Sequence, residues 1–440
     1  MFYLWGTPTG ALILLFTSAL DYFLGKVISA TSNQFKKIVL FFSIFENIAL
    51  LFYFKYMDFF VGEFNTLLDH FQIANIPFKS IAFPIGISFI IFHKISYLVD
   101  IYHQKANAAK TFLDFLLYIV MFPKLIQGPI ICYYDFSHQI ENIEPKDDDR
   151  FNGFFRFCVG LAKKTLIADP LGIVADKVFG LGFDSMTMSY SWLGALCYTL
   201  QIYFDFSGYS DMAIGIGKMM GVKINENFNR PYIAQNFTDF WRRWHITLSN
   251  WFKNYLYIPL GGNRKSSFRT YVNLWIVFLT SGLWHGANWT FIIWGAYHGL
   301  FLVADKLFWL KVSDRLGKIL TIPLTFLFVL IGWVIFRSDS IGSAGQYLFR
   351  MFDISSINNI ITDVLRVELI GNRQMFILYI ALIISFFPES GFETIQKKID
   401  CYKAWSFGIW IKAIVTLSLI WLSLISLANN SFSPFIYLRF

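Results

Sequence analysis

The chain has 440 residues, of which 56% are hydrophobic, 20% are aromatic and only 15% are charged. Because a soluble globular domain has roughly 25% charged residues, this composition excludes an ordinary water-soluble protein and indicates that much of the exterior faces lipid. The formal net charge is +8, but the Lys and Arg residues lie in short gaps between apolar runs, as the positive-inside rule expects. Binding to nucleic acid is therefore not expected.

The cysteines and the amino-terminal run exclude two further classes. The four cysteines show no paired spacing, which argues against a disulfide framework and against a cysteine-based metal site. They are Cys132, Cys158, Cys197 and Cys401. The first apolar run lacks a basic region before it and a small-residue cleavage site after it, so we predict a retained membrane span and not a cleaved signal peptide.

Apolar runs long enough to cross a bilayer recur along the whole chain. A membrane-spanning helix needs about 20 mostly apolar residues, and about eleven segments qualify. They lie near 10–30, 38–56, 79–99, 112–131, 153–172, 188–206, 271–290, 291–310, 319–337, 374–388 and 406–428. No repeat of fixed period is evident, so neither a solenoid nor an inverted-repeat transporter is indicated. We predict a single integral-membrane domain over residues 1–440, with its chemical motifs at about 200–300.

The gaps between these runs alternate in charge. The positive-inside rule places basic gaps in the cytoplasm. The basic gaps contain Lys36, Lys37, Lys94, Lys105, Lys110, Arg264, Lys265 and Arg269. An acidic gap with Asp58, Glu63 and Asp69 separates the first two basic gaps.

The region 120–170 is harder to orient from sequence. Pro123 and Pro129 are predicted to break the preceding run into a re-entrant piece, because proline removes helical hydrogen bonds. The acidic stretch 141–150 is predicted to be solvated, yet Lys163 and Lys164 follow closely. The topology of this region therefore stays open.

The segment 239–264 differs from the spans because charges interrupt its apolar residues. The apolar residues fall on one helical face, and they include Trp241, Trp244, His245, Leu248 and Phe252. Arg242, Arg243 and Lys253 prevent a lipid-facing run, and Asp239 precedes Arg243 at an ion-pair spacing. We predict an amphipathic helix that lies in the interface or dips into the protein, ending at Pro259 and the following glycines.

Two of the seven histidines are candidates for chemistry. Ionisable side chains are costly at membrane depth and mark functional sites. His285 lies in an apolar helix between Gly282 and Gly286, which leave room for a ligand or a neighbouring backbone. A neutral imidazole is a good general base near pH 7. The structural alternative is a buried histidine that hydrogen-bonds to another helix.

His245 and His298 have weaker assignments. His245 lies on the apolar stripe, where it could orient an acyl carbonyl or simply pack in the core. His298 follows His285 by thirteen residues, roughly 20 Å along a straight helix. The two can therefore share a site only if the chain breaks between them.

Other charged residues allow more than one interpretation. The basic residues between 242 and 269 could bind the phosphates of a coenzyme A donor, or they could simply obey the positive-inside rule. Asp205 and Asp211 could form a proton path, cap helices or pair with basic residues. Sequence templates of soluble enzymes, such as P-loop or nucleophile-elbow motifs, are absent from the sequence.

Six motifs along the chain carry a family resemblance. They are FPKLIQGPI at 122–130, FDFSGYSDMAIGIGKMMG at 204–221, ENFNRPY at 226–232, the 240–264 stretch, SGLWHGANWTFIIWGAYHG at 281–299 and FSPFIYLRF at 432–440. Together they resemble the membrane-bound O-acyltransferase family, especially its bacterial branch of alginate and peptidoglycan O-acetyltransferase membrane subunits, and the resemblance extends over most of the chain. In the family another apolar helix usually precedes the equivalent of residues 2–6. Either that span is missing from this sequence, or the number of helices is lower by one.

The resemblance implies an all-α bundle of about 10–12 membrane helices, with re-entrant and amphipathic helices around a central tunnel. It implies that His285 is the family's invariant histidine and that His245 is the second polar site residue. Residues of the same motifs are assigned to substrate or donor binding, namely Arg242, Arg243, Trp244, Asn250, Trp284, Asn288 and His298. No metal and no tightly bound cofactor are expected.

The expected function is transfer of an acetyl group across the inner membrane of a bacterium. The expected donor is acetyl-CoA, and the acceptor is an extracytoplasmic polysaccharide or peptidoglycan, reached through a periplasmic SGNH-type partner. D-alanyl or other acyl transfer is an alternative, although the resembling D-alanyl transfer proteins lack the YIPLGGNR ending found at 257–264. A transporter or flippase without acyl chemistry, or a scaffold for a partner enzyme, are alternatives of other classes.

Overall fold

A computed structural model describes residues 8–31, 34–79, 86–140, 143–359, 369–388, 406–429 and 433–436, and all regular elements in these ranges are helical. The first helices are α1 (Pro8–Ala30), α2 (Gln34–Leu51), α3 (Met57–His70), α4 (Ile87–Tyr102), α5 (Phe112–Val120), α6 (Tyr133–Ser137), α7 (Asp147–Ala162), α8 (Asp169–Phe179) and α9 (Met188–Met219). Wider π-helical turns join α2 to α3 (Phe52–Tyr56) and α7 to α8 (Lys163–Ala168).

The second half contains the chemical motifs. Its helices are α10 (Phe237–Arg243), α11 (Ile246–Phe252), α12 (Ser267–His285), α13 (Trp289–Ala304), α14 (Leu310–Leu316), α15 (Lys318–Arg337), α16 (Ile341–Met351), α17 (Asn372–Phe386) and α18 (Ser406–Asn429). Wider π-helical turns extend α11 (Lys253–Tyr257) and join α13 to α14 (Asp305–Trp309). Some predicted features lie outside the described residues. They are residues 2–6, Cys401, most of the motif at 432–440 and part of the predicted span at 79–99, namely residues 80–85.

Five of the described helices are long and apolar enough to cross a membrane, which makes the chain a multi-pass membrane protein. They are Gly10–Ala30, Gln34–His70, Trp289–Leu316, Lys318–Arg337 and Gly408–Asn429. The other predicted spans also coincide with helical segments, but these are shorter, broken or rich in buried polar groups. The all-helical fold is therefore confirmed, whereas simple spans are fewer than the eleven apolar runs.

One residue of the predicted gaps is wrongly placed. Asp58, Glu63 and Asp69 lie on α3, which continues from α2, and all three are exposed, as expected of a helix that extends beyond the membrane. Lys105 and Lys110 lie between α4 and α5, as predicted, but the placement of Lys94 in the same gap is wrong. Lys94 lies inside α4, where it is fully buried and forms an ion pair with Asp21 of α1 at 2.8 Å.

The predicted break in the run 112–131 is confirmed. Helix α5 ends at Val120, and a mostly buried, largely non-helical segment, residues 121–132, follows it with only a short turn at Phe122–Lys124. Such a backbone is tolerated at membrane depth only where protein surrounds it and satisfies its polar groups. One such contact is the N–H of Ile130, which donates to Thr247 Oγ1 at 2.9 Å.

The single amphipathic helix predicted for 239–264 is also wrong. The chain forms α10 and α11, and it bends between them at His245, whose φ of 43° is left-handed. A left-handed residue cannot continue a right-handed helix. Trp241, Trp244 and His245 are therefore buried where the end of α10 meets the start of α11, and they do not form one helical face.

The aspartates of the predicted carboxylate pair both lie on α9, which packs against α7 and α8 in the protein interior. Lys164 Nζ lies 2.7 Å from Asp205, and Asp211 is bound by Arg156 at 2.8 Å and by Lys163 at 2.6 Å. Of the three alternatives, pairing with basic residues is the one the structure contains.

Candidate functional site

The chain breaks directly after His285. Helix α12 ends at this residue, Gly286 is extended, and α13 begins at Trp289. Asn288 caps α13, because its Oδ1 accepts the N–H of Thr290 at 3.1 Å. Its amide nitrogen also donates to the carbonyl of Asp339 at 3.0 Å. Asn288 thus holds the turn that presents His285.

The two glycines that flank His285 leave room for neighbouring protein groups. A Cβ at Gly282 would lie 2.3 Å from the carbonyl oxygen of Phe291, and a Cβ at Gly286 would lie 2.2 Å from the Phe291 ring. A side chain at Gly282 would require the backbone of α13 to move, and one at Gly286 would require the Phe291 ring to move. The glycines therefore let α13 pack closely against α12 and fix the position of the histidine at its end.

His245 occupies a second chain break and is held by Asn227. The two side chains meet through His245 Nδ1 and Asn227 Oδ1 at 3.0 Å. The same oxygen accepts the hydroxyl of Thr247 at 2.8 Å. Because Asn227 Oδ1 can only accept, this network assigns the proton of His245 to Nδ1. The remaining nitrogen, Nε2, is a buried acceptor with no partner among the described residues.

Trp284 lies beside both histidines. Its indole lies 4.9 Å from the His285 ring and 6.5 Å from the His245 ring, measured between centroids. His285 also contacts Trp294 at 5.0 Å and Phe336 at 5.3 Å. His285 retains 7% of its surface, whereas His245 is fully enclosed.

His298 lies close to the same tryptophan as His285. The Trp294 ring lies 4.6 Å from His298 and 5.0 Å from His285. His298 Nδ1 accepts the indole N–H of Trp241 at 3.2 Å. The chain break needed for His298 to approach His285 is present, and Trp294 contacts both histidines.

The other residues predicted to bind substrate or donor differ in their solvent exposure. Arg242 and Asn250 are exposed, and Trp244 is buried 4.8 Å from the ring of Trp333. Arg243 forms the predicted ion pair with Asp239 at 2.8 Å. Of the residues assigned to binding, only Trp284 contacts His285 directly in the ring contacts described.

Two site residues were missed by the sequence reasoning. Lys55 donates to the carbonyl oxygen of Trp284 and, at 3.3 Å, to that of His285. Tyr56 donates to the carbonyl of Leu283 at 2.9 Å. The last carbonyls of a helix lack partners within the helix, so these side chains complete the end of α12. A lysine inside the apolar run 38–56 was the available signal.

The described helices form a multi-pass membrane bundle, and two buried histidines lie at breaks in its chain. The model of the membrane-bound O-acyltransferase family matches residues 2–343. The chain belongs to this family, and it is an O-acyltransferase.

Curated relatives cover most of the chain. A probable alginate O-acetylase of Pseudomonas putida is 40% identical over 90% of this chain and 82% of its own length. A peptidoglycan O-acetyltransferase of Helicobacter pylori is 38% identical over 79% of this chain and 71% of its own length. A teichoic acid D-alanyltransferase of Bacillus subtilis is more distant, at 29% identity over 63% of this chain and 74% of its own length.

Substitution of Lys55 by Met is expected to lower kcat for acyl transfer by about tenfold with little change in KM. The substitution removes the donor of two hydrogen bonds to the carbonyls that hold His285, and each such hydrogen bond contributes about 1 kcal/mol. Lys55→Arg should restore part of kcat, because it keeps the donors. The exposed Lys306→Met is the matched control. Unchanged kcat in Lys55→Met at normal abundance would contradict the positioning role.

Proposed function

We propose that this O-acyltransferase takes an acetyl group from acetyl-CoA at the cytoplasmic side of a bacterial inner membrane. The group is delivered to a hydroxyl of an extracytoplasmic polysaccharide or peptidoglycan, through a periplasmic SGNH-type partner. The relatives named as O-acetylases support acetyl as the acyl group, since they are more similar to the chain than the D-alanyltransferases are. Exposed basic residues near 242–269 supply cationic groups for donor phosphates.

The observation that carries the proposal is the meeting of His285 and His245 beside Trp284. The two residues are forty positions apart in sequence, and each lies at the end of a helix where the chain turns. A core histidine needs no such placement, whereas two imidazoles beside one indole can act on one acyl group. This geometry favours acyl chemistry over a simple proton path through the aspartates, because both aspartates are bound in ion pairs.

In the proposed reaction His285 acts as general base. It accepts the proton of the acceptor hydroxyl as the oxygen attacks the acyl carbon of the thioester. The tetrahedral intermediate then collapses, the carbon–sulfur bond breaks, and the proton passes from His285 to the leaving thiolate. His245 presents an acceptor nitrogen, so it suits holding a hydroxyl group better than polarising a carbonyl.

The proposal is tested with acetyl-labelled coenzyme A and purified protein in liposomes. Label that moves to an acceptor hydroxyl or to the partner protein supports acetyl transfer. Label that crosses the membrane while still attached to its donor supports a flippase and overturns the proposal. A parallel reaction with a D-alanyl donor shows whether the protein transfers acetyl or D-alanyl groups.

His245→Asn is the informative variant in the same assay. Asn tolerates the left-handed backbone that His245 adopts, so the bend between α10 and α11 is retained while the imidazole is lost. Transfer that falls by about fivefold or more supports a positioning role, since each good hydrogen bond contributes about 1 kcal/mol. Unchanged transfer would assign His245 to packing.

A further inference from the structure

A second group of buried polar side chains lies outside the histidine site, around the non-helical segment 121–132. Lys124 and Gln127 belong to this segment, and His93 projects from α4. All three side chains are fully buried. Lys124 Nζ, both ring nitrogens of His93 and both amide atoms of Gln127 have no hydrogen-bond partner in the described part of the chain.

The other buried lysines show what Lys124 lacks. Three lysines are buried in the described ranges, and two of them have carboxylate partners. Lys94 lies 2.8 Å from Asp21, and Lys164 lies 2.7 Å from Asp205. Lys124 has no such partner in these ranges. A buried charge without a counter-charge is strongly unfavourable, so this lysine differs from the two that the fold itself neutralises.

Lys124 and His93 approach the same aromatic ring. Lys124 Nζ lies 3.7 Å from the centroid of Tyr118, and the His93 ring lies 5.5 Å from it at 87°. The Tyr118 hydroxyl cannot serve either side chain, because it is hydrogen-bonded to Ser96 at 2.8 Å and to the carbonyl of Ile131 at 2.9 Å. The ring face stabilises the ammonium group but supplies no negative charge.

The buried carboxylate on the same helix as His93 is already occupied. Asp100 accepts the Tyr255 hydroxyl at 2.8 Å and the N–H of Tyr134 at 3.0 Å. An ammonium and an imidazole therefore lie beside one buried ring, Asp100 binds elsewhere, and the buried carboxamide of Gln127 follows Lys124 by three residues on the same segment.

We propose that Lys124, His93 and Gln127 form a binding site for a small anion of the carboxylate or halide class. The ammonium supplies the charge, and the imidazole and amide N–H groups supply further hydrogen bonds. The proposal is independent of the acyl group that the enzyme transfers. It explains why a lysine lies deep in the protein without a carboxylate partner among the residues that the structure describes.

The anion would also stabilise the backbone that supports His245. Ile130, on the same segment as Lys124, donates its N–H to Thr247 Oγ1 at 2.9 Å. Thr247 in turn donates to Asn227, which holds His245. Occupancy of the anion site should therefore fix the segment that completes the hydrogen-bond network of the second histidine.

The test is the thermal stability of the full-length protein in detergent at constant ionic strength. Acetate or bromide replaces a bulky reference anion, gluconate, over a concentration series. The wild type should show a saturable rise in Tm of about 2 °C, and Lys124→Met should show none. The exposed Lys311→Met should respond as the wild type does. A rise in Tm with acetate would identify the ligand as a carboxylate, and a rise with bromide would identify it as a halide.

Gln127→Leu keeps the ammonium and provides a second variant in case Lys124→Met fails to fold. Its half-saturating anion concentration should rise by about tenfold, because one hydrogen bond to a charged ligand is lost. A wild type that shows no dependence on either anion would mean that Lys124 is neutral or solvated, and would overturn the proposal. So would equal responses in the wild type and Lys124→Met, or an unshifted midpoint in Gln127→Leu.

Discussion

His285→Ala is expected to reduce acyl transfer by about 10²–10⁴-fold, the contribution of a well-placed general base. The imidazole lies at the end of α12 with Trp284, Trp294 and Phe336 around it. None of these aromatic side chains can accept a proton in its place. The measurement is the rate of label transfer from acyl donor to acceptor, normalised to the amount of folded protein in the membrane.

His298→Phe is the matched control for this prediction. His298 is also fully buried, and its Nδ1 is occupied as the acceptor of the Trp241 indole N–H. Its loss should cost stability of about 1 kcal/mol, the contribution of one hydrogen bond, and leave transfer within about tenfold of wild type. The general-base assignment is wrong if His285→Ala transfers near the wild-type rate at normal abundance. It is also wrong if both variants lose activity equally.

Lys164→Met is expected to destabilise the protein by about 3–5 kcal/mol, because it leaves buried carboxylates without their counter-charge. Lys164 Nζ lies 2.7 Å from both Asp205 and Asp169. Asp205 also accepts the N–H of Ile436 at 3.0 Å, so the ion pair connects three parts of the chain. The measurement is thermal or denaturant unfolding in detergent, together with abundance in the membrane.

Two further variants separate charge from packing. Lys177 lies exposed on α8, and Lys177→Met should change stability by no more than about 0.5 kcal/mol. Asp205→Asn combined with Lys164→Met should recover part of the lost stability, because one uncompensated charge is removed. A Lys164→Met protein as stable as the wild type would show that the ion pair contributes nothing.

Composition alone established that this is a helical membrane protein, because 15% charged residues cannot cover a water-exposed surface of this size. Local rules also predicted the ion pair of Asp239 with Arg243 and the break of the run 112–131. These features depend on residues close together in sequence, such as an i,i+4 pair or a proline. They require no knowledge of what packs against them.

Periodicity predicted His245 on one continuous helix and failed. An apolar stripe at helical spacing is compatible with one long helix and with two short ones. What decides between them is the left-handed turn at His245, supported by Asn227 from another part of the chain. Loop prediction from charge failed at Lys94 for a similar reason, since its partner Asp21 lies on a different helix.

The amino-acid sequence by itself determined the membrane class, the helical fold and the two histidines as candidates. Only the tertiary structure decided that these histidines meet beside Trp284 and that Lys55 completes the helix end carrying His285. Lys55 and His285 are 230 residues apart. A local pattern carries no information about a contact across that separation, because only the packing of the whole bundle brings the two segments together.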